Sequence, residues 1–275
     1  MKVAKVLAYI IIIVYFLVIL ALYAFQTKLI FHPGKLARDF KFKLGEDDEE
    51  IFLKTSDGEE INALFYQGTR NEVILYFHGN AGDLSGWHFV AEDFVEKGYS
   101  ILIVDYRGYG KSTGTISEAG FYADAEAAYN FLTSTKAYAP QDIIIYGRSI
   151  GSGVAVDLAS KHKIRGLVLE SPYTSLAALA NEKLPMMFPV LYLRYSFDNI
   201  KKIEAVESPV ILIHGTVDTL IPPDHSKKLL TKIKSKKKMI LVDGGAHNDL
   251  NSFVPYQEFL ERDLSDFFSP LKISD

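Results

Sequence analysis

From residue 73 onward, short apolar runs alternate with glycine-rich breaks and with stretches of helical apolar spacing. Residues 73–77, 100–105, 142–146, 166–170, 209–214 and 238–242 read as strands. Their apolar residues run continuously rather than at every second position, the pattern of strands buried on both faces. The intervening stretches at 87–97, 121–132 and 154–159 carry apolar residues at helical spacing. Strand alternating with helix predicts an α/β fold, a mainly parallel twisted sheet with helices on both faces. Ahead of it, residues 40–44 and 50–55 read as strands around the acidic turn Gly45-Glu46-Asp47-Asp48, a solvated loop. Ser56-Asp57-Gly58 then turns the chain into 61–66, so an antiparallel edge is expected on the larger sheet.

The first thirty residues follow a different pattern. Residues 6–25 contain no charged side chain. As a helix rising about 1.5 Å per residue they span about 30 Å, the thickness of a bilayer core. A membrane anchor over residues 1–28 is expected, leaving 29–275 as one folded domain. The rival reading is a cleaved signal peptide, since Lys2 and Lys5 resemble its basic start. Against it, the apolar run exceeds the usual ~7–15 residues, and Leu22 precedes Ala24 where a small residue is expected. Lys2 and Lys5 lie on one flank and Lys28, Lys35, Arg38, Lys41 and Lys43 on the other, so the positive-inside rule does not choose an orientation for this single-pass protein.

A second irregularity is the interval 176–208, apolar but broken by Pro185 and Pro189, too long for a simple connection between strands. At the carboxyl end of a sheet such an insertion forms either a lid over a site or additional core. Its methionines and aromatic residues would suit an acyl chain.

Composition narrows the chemistry. With 275 residues, 48% of them hydrophobic, the chain can bury one large core. It has no cysteine, which excludes disulfides, thiolate catalysis and cysteine zinc sites. A net charge of -4 provides no electrostatic ground for nucleic-acid binding. There is no H-E-x-x-H pattern, and the glycines after residue 78 lack the Lys-Ser/Thr ending of a phosphate loop, so neither metal nor cofactor is expected. The lysines at 227, 228, 232, 234 and 236–238 could touch anionic headgroups or form a solvated face.

The candidate chemistry centres on Gly147-Arg148-Ser149-Ile150-Gly151, set between an isoleucine-rich strand and an alanine-rich helix. A serine on such a sharp strand-to-helix turn needs small neighbours two residues away on either side, and the helix N-terminus behind it favours developing negative charge. Ser149 is the candidate nucleophile. It requires a base, and the base an orienting carboxylate. Asp218 follows the strand 209–214, and His247 lies in a glycine-rich loop after the last strand. Glu170, also at a strand end, is the competing acid. His214 is expected within its strand end, His225 on the next helix, and Asp105 as the organiser of the loop containing Arg107. Backbone amides of Ile150 and Asn80 are the candidate oxyanion donors, Asn80 lying in the loop His78-Gly79-Asn80-Ala81-Gly82-Asp83.

The segments HGNAGD, DYRGYGKSTG, GRSIGSG, HGTVDTLIPP and GGAHND, in this order over residues 50–268, resemble the α/β-hydrolase superfamily and its membrane-anchored "alpha/beta hydrolase domain" branch. The resemblance implies that fold, with Ser149 as nucleophile, Asp218 as acid, His247 as base, and Asn80 and Ile150 at the oxyanion. It implies a serine hydrolase of the carboxylesterase, lipase or thioesterase kind acting on a small-molecule or lipid-like acyl substrate. Depalmitoylase members attach to membranes through an acylated, cysteine-rich N-terminus, which this chain replaces with an apolar span. An acyltransferase, a serine peptidase and a non-catalytic scaffold are the alternatives on the same fold.

Overall fold

The computed structural model of the protein describes residues 2–188 and 192–269. Met1 of the expected anchor, residues 189–191 of the expected insertion and the final residues 270–275 lie outside the described residues. Among the described residues, eight strands form one sheet: β1 (Glu49–Lys54), β2 (Glu60–Tyr66), β3 (Val73–Phe77), β4 (Ser100–Val104), β5 (Ile143–Arg148), β6 (Gly166–Glu170), β7 (Val210–Gly215) and β8 (Lys237–Val242). Their spatial order is β8-β7-β6-β5-β3-β4-β2-β1. β2 runs antiparallel to both β1 and β4, and every other neighbouring pair is parallel.

We number the helices of eight residues or more: α1 (Lys2–Ile30), α2 (Glu118–Asn130), α3 (Gly151–Ala159), α4 (Leu176–Lys183) and α5 (Asp224–Lys232). The pleat divides the strand residues between two cores. Leu75, Ile145 and Leu167 face α2 and α3, whereas Ile74, Tyr76, Ile144 and Val168 face the short helix Val90–Val95 and the C-terminal segment around Phe259. Both faces are dry, which is why β3 to β7 read as unbroken apolar runs.

Two expectations fail at the edges. Residues 40–44 form no strand. Their alternation is used instead to pack Phe42 and Leu44 against the second core, while Phe40 and Phe42 sit beside the Lys111 ammonium. The hairpin forms one segment later, between β1 and β2. The helix expected over 87–97 is split into Leu84–Trp87, capped by the Asp83 carboxylate, and Val90–Val95.

α1 has a candidate membrane-spanning segment, with an apolar window of mean hydropathy 2.9 in which no residue is fully buried. Its last turn, however, is built into the domain. Gln26 is buried and accepts from the Arg194 amide at 2.7 Å, and the Thr27 and Tyr195 hydroxyls lie 2.6 Å apart. Phe31, directly after the helix, packs edge-on against Phe121 and Tyr195, a burial worth about 1.5–3 kcal/mol.

The lysine-rich stretch is engaged with the domain itself. Lys227 pairs with Asp224, Lys232 and Lys234 share Glu204, and Lys238 meets Asp263. Lys236 and Lys237 donate to backbone carbonyls.

Candidate active site

Between β5 and α3 the backbone turns so sharply that Ser149 adopts φ 53°, a left-handed conformation costly for any residue with a Cβ. Close approach explains its flanking glycines. A Cβ on Gly147 would lie 2.5 Å from that of Ala155, and one on Gly151 would lie 2.2 Å from the Phe77 carbonyl oxygen. The turn is thus wedged between β3 and α3, and Ser149 is held at the start of a helix whose free amides favour negative charge.

The structure brings Ser149, His247 and Asp218 into one hydrogen-bonded chain. His247 Nε2 is 3.0 Å from Ser149 Oγ, and His247 Nδ1 is 2.7 Å from Asp218 Oδ2. All three residues are buried. Asp218 Oδ1 accepts from the amides of Leu220 and Ile221, each at 2.9 Å, and His214 Nε2 lies 3.3 Å from Oδ2. Burial opposes ionisation of Asp218, but hydrogen bonds from His214, His247 and the Ile221 amide outweigh it and hold the carboxyl well below the usual range. With Nδ1–H directed at an ionised carboxylate, His247 presents Nε2 as an acceptor toward Ser149.

Glu170, the competing acid, is occupied elsewhere. It bonds Arg148 Nε at 3.0 Å and accepts from the Tyr146 hydroxyl. Arg148 also reaches the His247 carbonyl at 3.4 Å and Asn248 Oδ1 at 3.2 Å, tying the serine turn to the histidine loop. The motif reading treated Arg148 as a spacer, and nothing in the local sequence signals this role.

The loop after β3 is buttressed from beneath. Tyr106 donates to the His78 carbonyl at 2.7 Å and Tyr109 to the Asn80 carbonyl at 2.8 Å. Asp105 packs on Gly110 of the Arg107 loop and its carbonyl accepts from the Ser112 hydroxyl of that loop at 2.8 Å, as expected, and its carboxylate also bonds His78 Nε2 at 3.2 Å and the Leu84 amide at 3.1 Å, so it ties that loop to the one after β3. Arg107 itself is held by Asp57 and Asp124. His214 is buried in its strand end, and His225 lies on α5, as expected.

Asn80, Ser149 and Ile150 line one end of a cavity of about 300 Å³. The amides of Asn80 and Ile150 donate to no other protein atom among the described residues. The remaining wall is mostly apolar and comes from Tyr173, from α4, which also contributes Lys183, from Leu193, Leu220 and Ile221, and from Leu29 and Ile30 of α1. The Asn80 side-chain amide donates to the Ile30 carbonyl, linking the end of α1 to the loop after β3. That α1 contributes to this wall was not read from the sequence.

Comparison with known proteins identifies the family. A family model described as alpha/beta hydrolase fold matches residues 72–196. The human protein named alpha/beta hydrolase domain-containing protein 17B is 34% identical over 238 residues, covering 82% of this chain and 79% of its own. The chain belongs to the alpha/beta hydrolase family. YfhR of Escherichia coli, an uncharacterised member, is 33% identical over 215 residues, 77% of this chain and 72% of its own. Among solved α/β-hydrolase structures, the Pyrococcus furiosus esterase Pf2001 superposes with a TM-score of 0.66 at 21% identity, over 84% of this chain and 96% of that one, a likeness of fold.

Proposed function

We propose that this α/β-hydrolase is a serine hydrolase that cleaves an ester or thioester of an acyl substrate through an acyl-enzyme on Ser149. Residues 1–28 tether it to a membrane as a single-pass anchor, and residues 29–275 form the catalytic domain. The observation that carries the reading is the Ser149–His247–Asp218 hydrogen-bonded chain at the polar end of an apolar cavity. The esterase Pf2001 shares the fold, which adds support for this class of reaction.

In this mechanism His247 Nε2 accepts the Ser149 proton as Oγ attacks the substrate carbonyl carbon. The amides of Asn80 and Ile150 stabilise the oxyanion, aided by the positive end of α3. Collapse of the tetrahedral intermediate breaks the bond to the alcohol or thiol, which leaves with the proton from His247. Water, losing a proton to the same nitrogen, then attacks the acyl-enzyme; collapse returns that proton to Ser149 and releases the carboxylic acid. Asp218 stays ionised and stabilises the imidazolium in both halves.

The test is fluorophosphonate labelling of detergent-solubilised protein, native against Ser149→Ala. Labelling confined to the native chain is expected, together with turnover of acyl esters. A folded native chain that stays unlabelled refutes the reading. Products formed with an added alcohol acceptor separate hydrolysis from acyl transfer.

A further inference from the structure

One stripe of α1 is partly covered by the domain over the second half of its length. Tyr15, Ile19, Leu22, Gln26 and Ile30, spaced three or four residues apart, are half-buried or buried along a helix otherwise largely exposed. The stripe begins far from the sheet. Tyr15 donates to the Met186 carbonyl at 3.0 Å, and Met187 lines an open apolar groove with Ile11, Val14 and Val18. Tyr15 lies about 16 Å along the helix from Gln26, where the charge-free segment ends, and therefore near the middle of a hydrocarbon layer about 30 Å thick.

The turn Pro185–Met187 that reaches this depth ends in outward-facing apolar side chains. Met186 is 77% exposed and Phe188 55%, which is costly in water and favourable in hydrocarbon. At the other end of the helix, Leu29 and Ile30 line the cavity that contains Ser149, together with Leu176 and Leu179 of α4. The helix that crosses the hydrocarbon layer therefore ends at the wall of the serine cavity.

We propose that this cavity is a side portal for a lipid. The substrate is a long-chain acyl ester residing in the same bilayer as α1, and its chain reaches Ser149 sideways, between the last turn of α1 and α4. The inference rests on the serine-hydrolase reading and adds to it the class of substrate and its route. Asn80 couples the two, since its side chain holds the Ile30 carbonyl while the residue itself lines the cavity with Ser149.

The experiment reconstitutes the full chain in phosphatidylcholine vesicles and normalises rates to fluorophosphonate-labelled serine, which removes misfolded protein from the comparison. The probes are a soluble p-nitrophenyl butyrate and a fluorogenic long-chain acyl ester lipid, placed either in the same vesicles or in separate ones. The lipid in the same vesicles is expected to be cleaved at least about tenfold faster than in separate ones. Met186→Glu sets a charge at the exposed, membrane-facing apex and is expected to lower lipid cleavage at least about tenfold, leaving the soluble ester within about twofold of native, whereas Met186→Leu preserves both.

Normal turnover of the soluble ester with no cleavage of the lipid, or an equal effect of Met186→Glu on both, overturns the portal and leaves the hydrolase reading standing. A preference of about tenfold for an S-acylated peptide in the same vesicles does likewise. Failure of the native chain to label or to cleave any ester removes both proposals.

Discussion

Replacing Gly151 by alanine tests how the serine turn is held. An added Cβ would sit 2.2 Å from the Phe77 carbonyl oxygen, 2.7 Å from its carbon and 2.8 Å from the His78 carbonyl oxygen. Carbon and oxygen do not rest closer than about 3.2 Å, so the start of α3 and the end of β3 must part by roughly 1 Å. All the obstructing atoms are backbone, so no side chain can yield instead. The displaced parts carry Ser149, the Ile150 amide and, through His78, the Asn80 amide. Overpacking of this kind costs about 1–3 kcal/mol, or a fall of some 2–4 °C in Tm per kcal/mol for a domain of this size. Misplacing reacting groups by about 1 Å costs on the order of 100-fold in rate. Thermal unfolding followed through Trp87 fluorescence and kcat/KM on a soluble ester measure the two effects. Gly86→Ala is the control, because a Cβ there meets nothing within 4 Å. A Gly151→Ala protein with native Tm and native kcat/KM would refute the wedge.

Three further outcomes follow from the same geometry. Asp218→Asn should lower kcat by about 10³–10⁴-fold with little change in KM, since the imidazole loses both its tautomer and its counter-charge; a loss below tenfold would return Glu170 to consideration. Arg148→Met should destabilise the fold by about 3–5 kcal/mol by leaving the buried Glu170 unpaired, and Arg148→Met with Glu170→Gln should recover part of that loss; additive losses in the double variant would show that the pair is not coupled. Because its folded pKa is depressed, Asp218 contributes stability that is fully present above its unfolded pKa of about 3.9 and is lost as pH falls toward the folded value. The stability difference between the native chain and Asp218→Asn should therefore shrink below about pH 4 in denaturant titrations, and a constant difference would contradict the assignment.

The parallel core of the fold was legible because β3 to β7 are buried on both faces, so their apolar runs are continuous and their ends are marked by glycines. The serine turn was legible for a related reason, as Gly147 and Gly151 are forced by close approach and leave a fixed spacing around Ser149. Asp218 and His247 could be located only as residues following strands, and their meeting with a serine 98 positions away from His247 is a tertiary fact. The strand reading of 40–44 failed because Phe42 and Leu44 serve a packed face, which side chains can satisfy without a ladder. Asp105 was read only as an organiser of the Arg107 loop, whereas its carboxylate also bonds His78 and the Leu84 amide, contacts that sequence proximity does not show. The contacts of Arg148 with the histidine loop and of Asn80 with Ile30 carry no local signature.

Membrane anchors are ordinarily interchangeable parts, constrained in length and hydrophobicity but free in sequence and rotation. Here the helix is keyed at two levels, by Gln26 and Thr27 at one and by Tyr15 at the other. One residue added between them would turn Tyr15 by about 100° away from Met186 while Gln26 stayed seated. Exchange of this segment with the anchor of another protein would preserve tethering yet scramble the angular phase of the helix. The proposed tether and the hydrolase domain therefore act as one mechanical unit, and a helix grafted at their junction would have to keep both its length and its rotation.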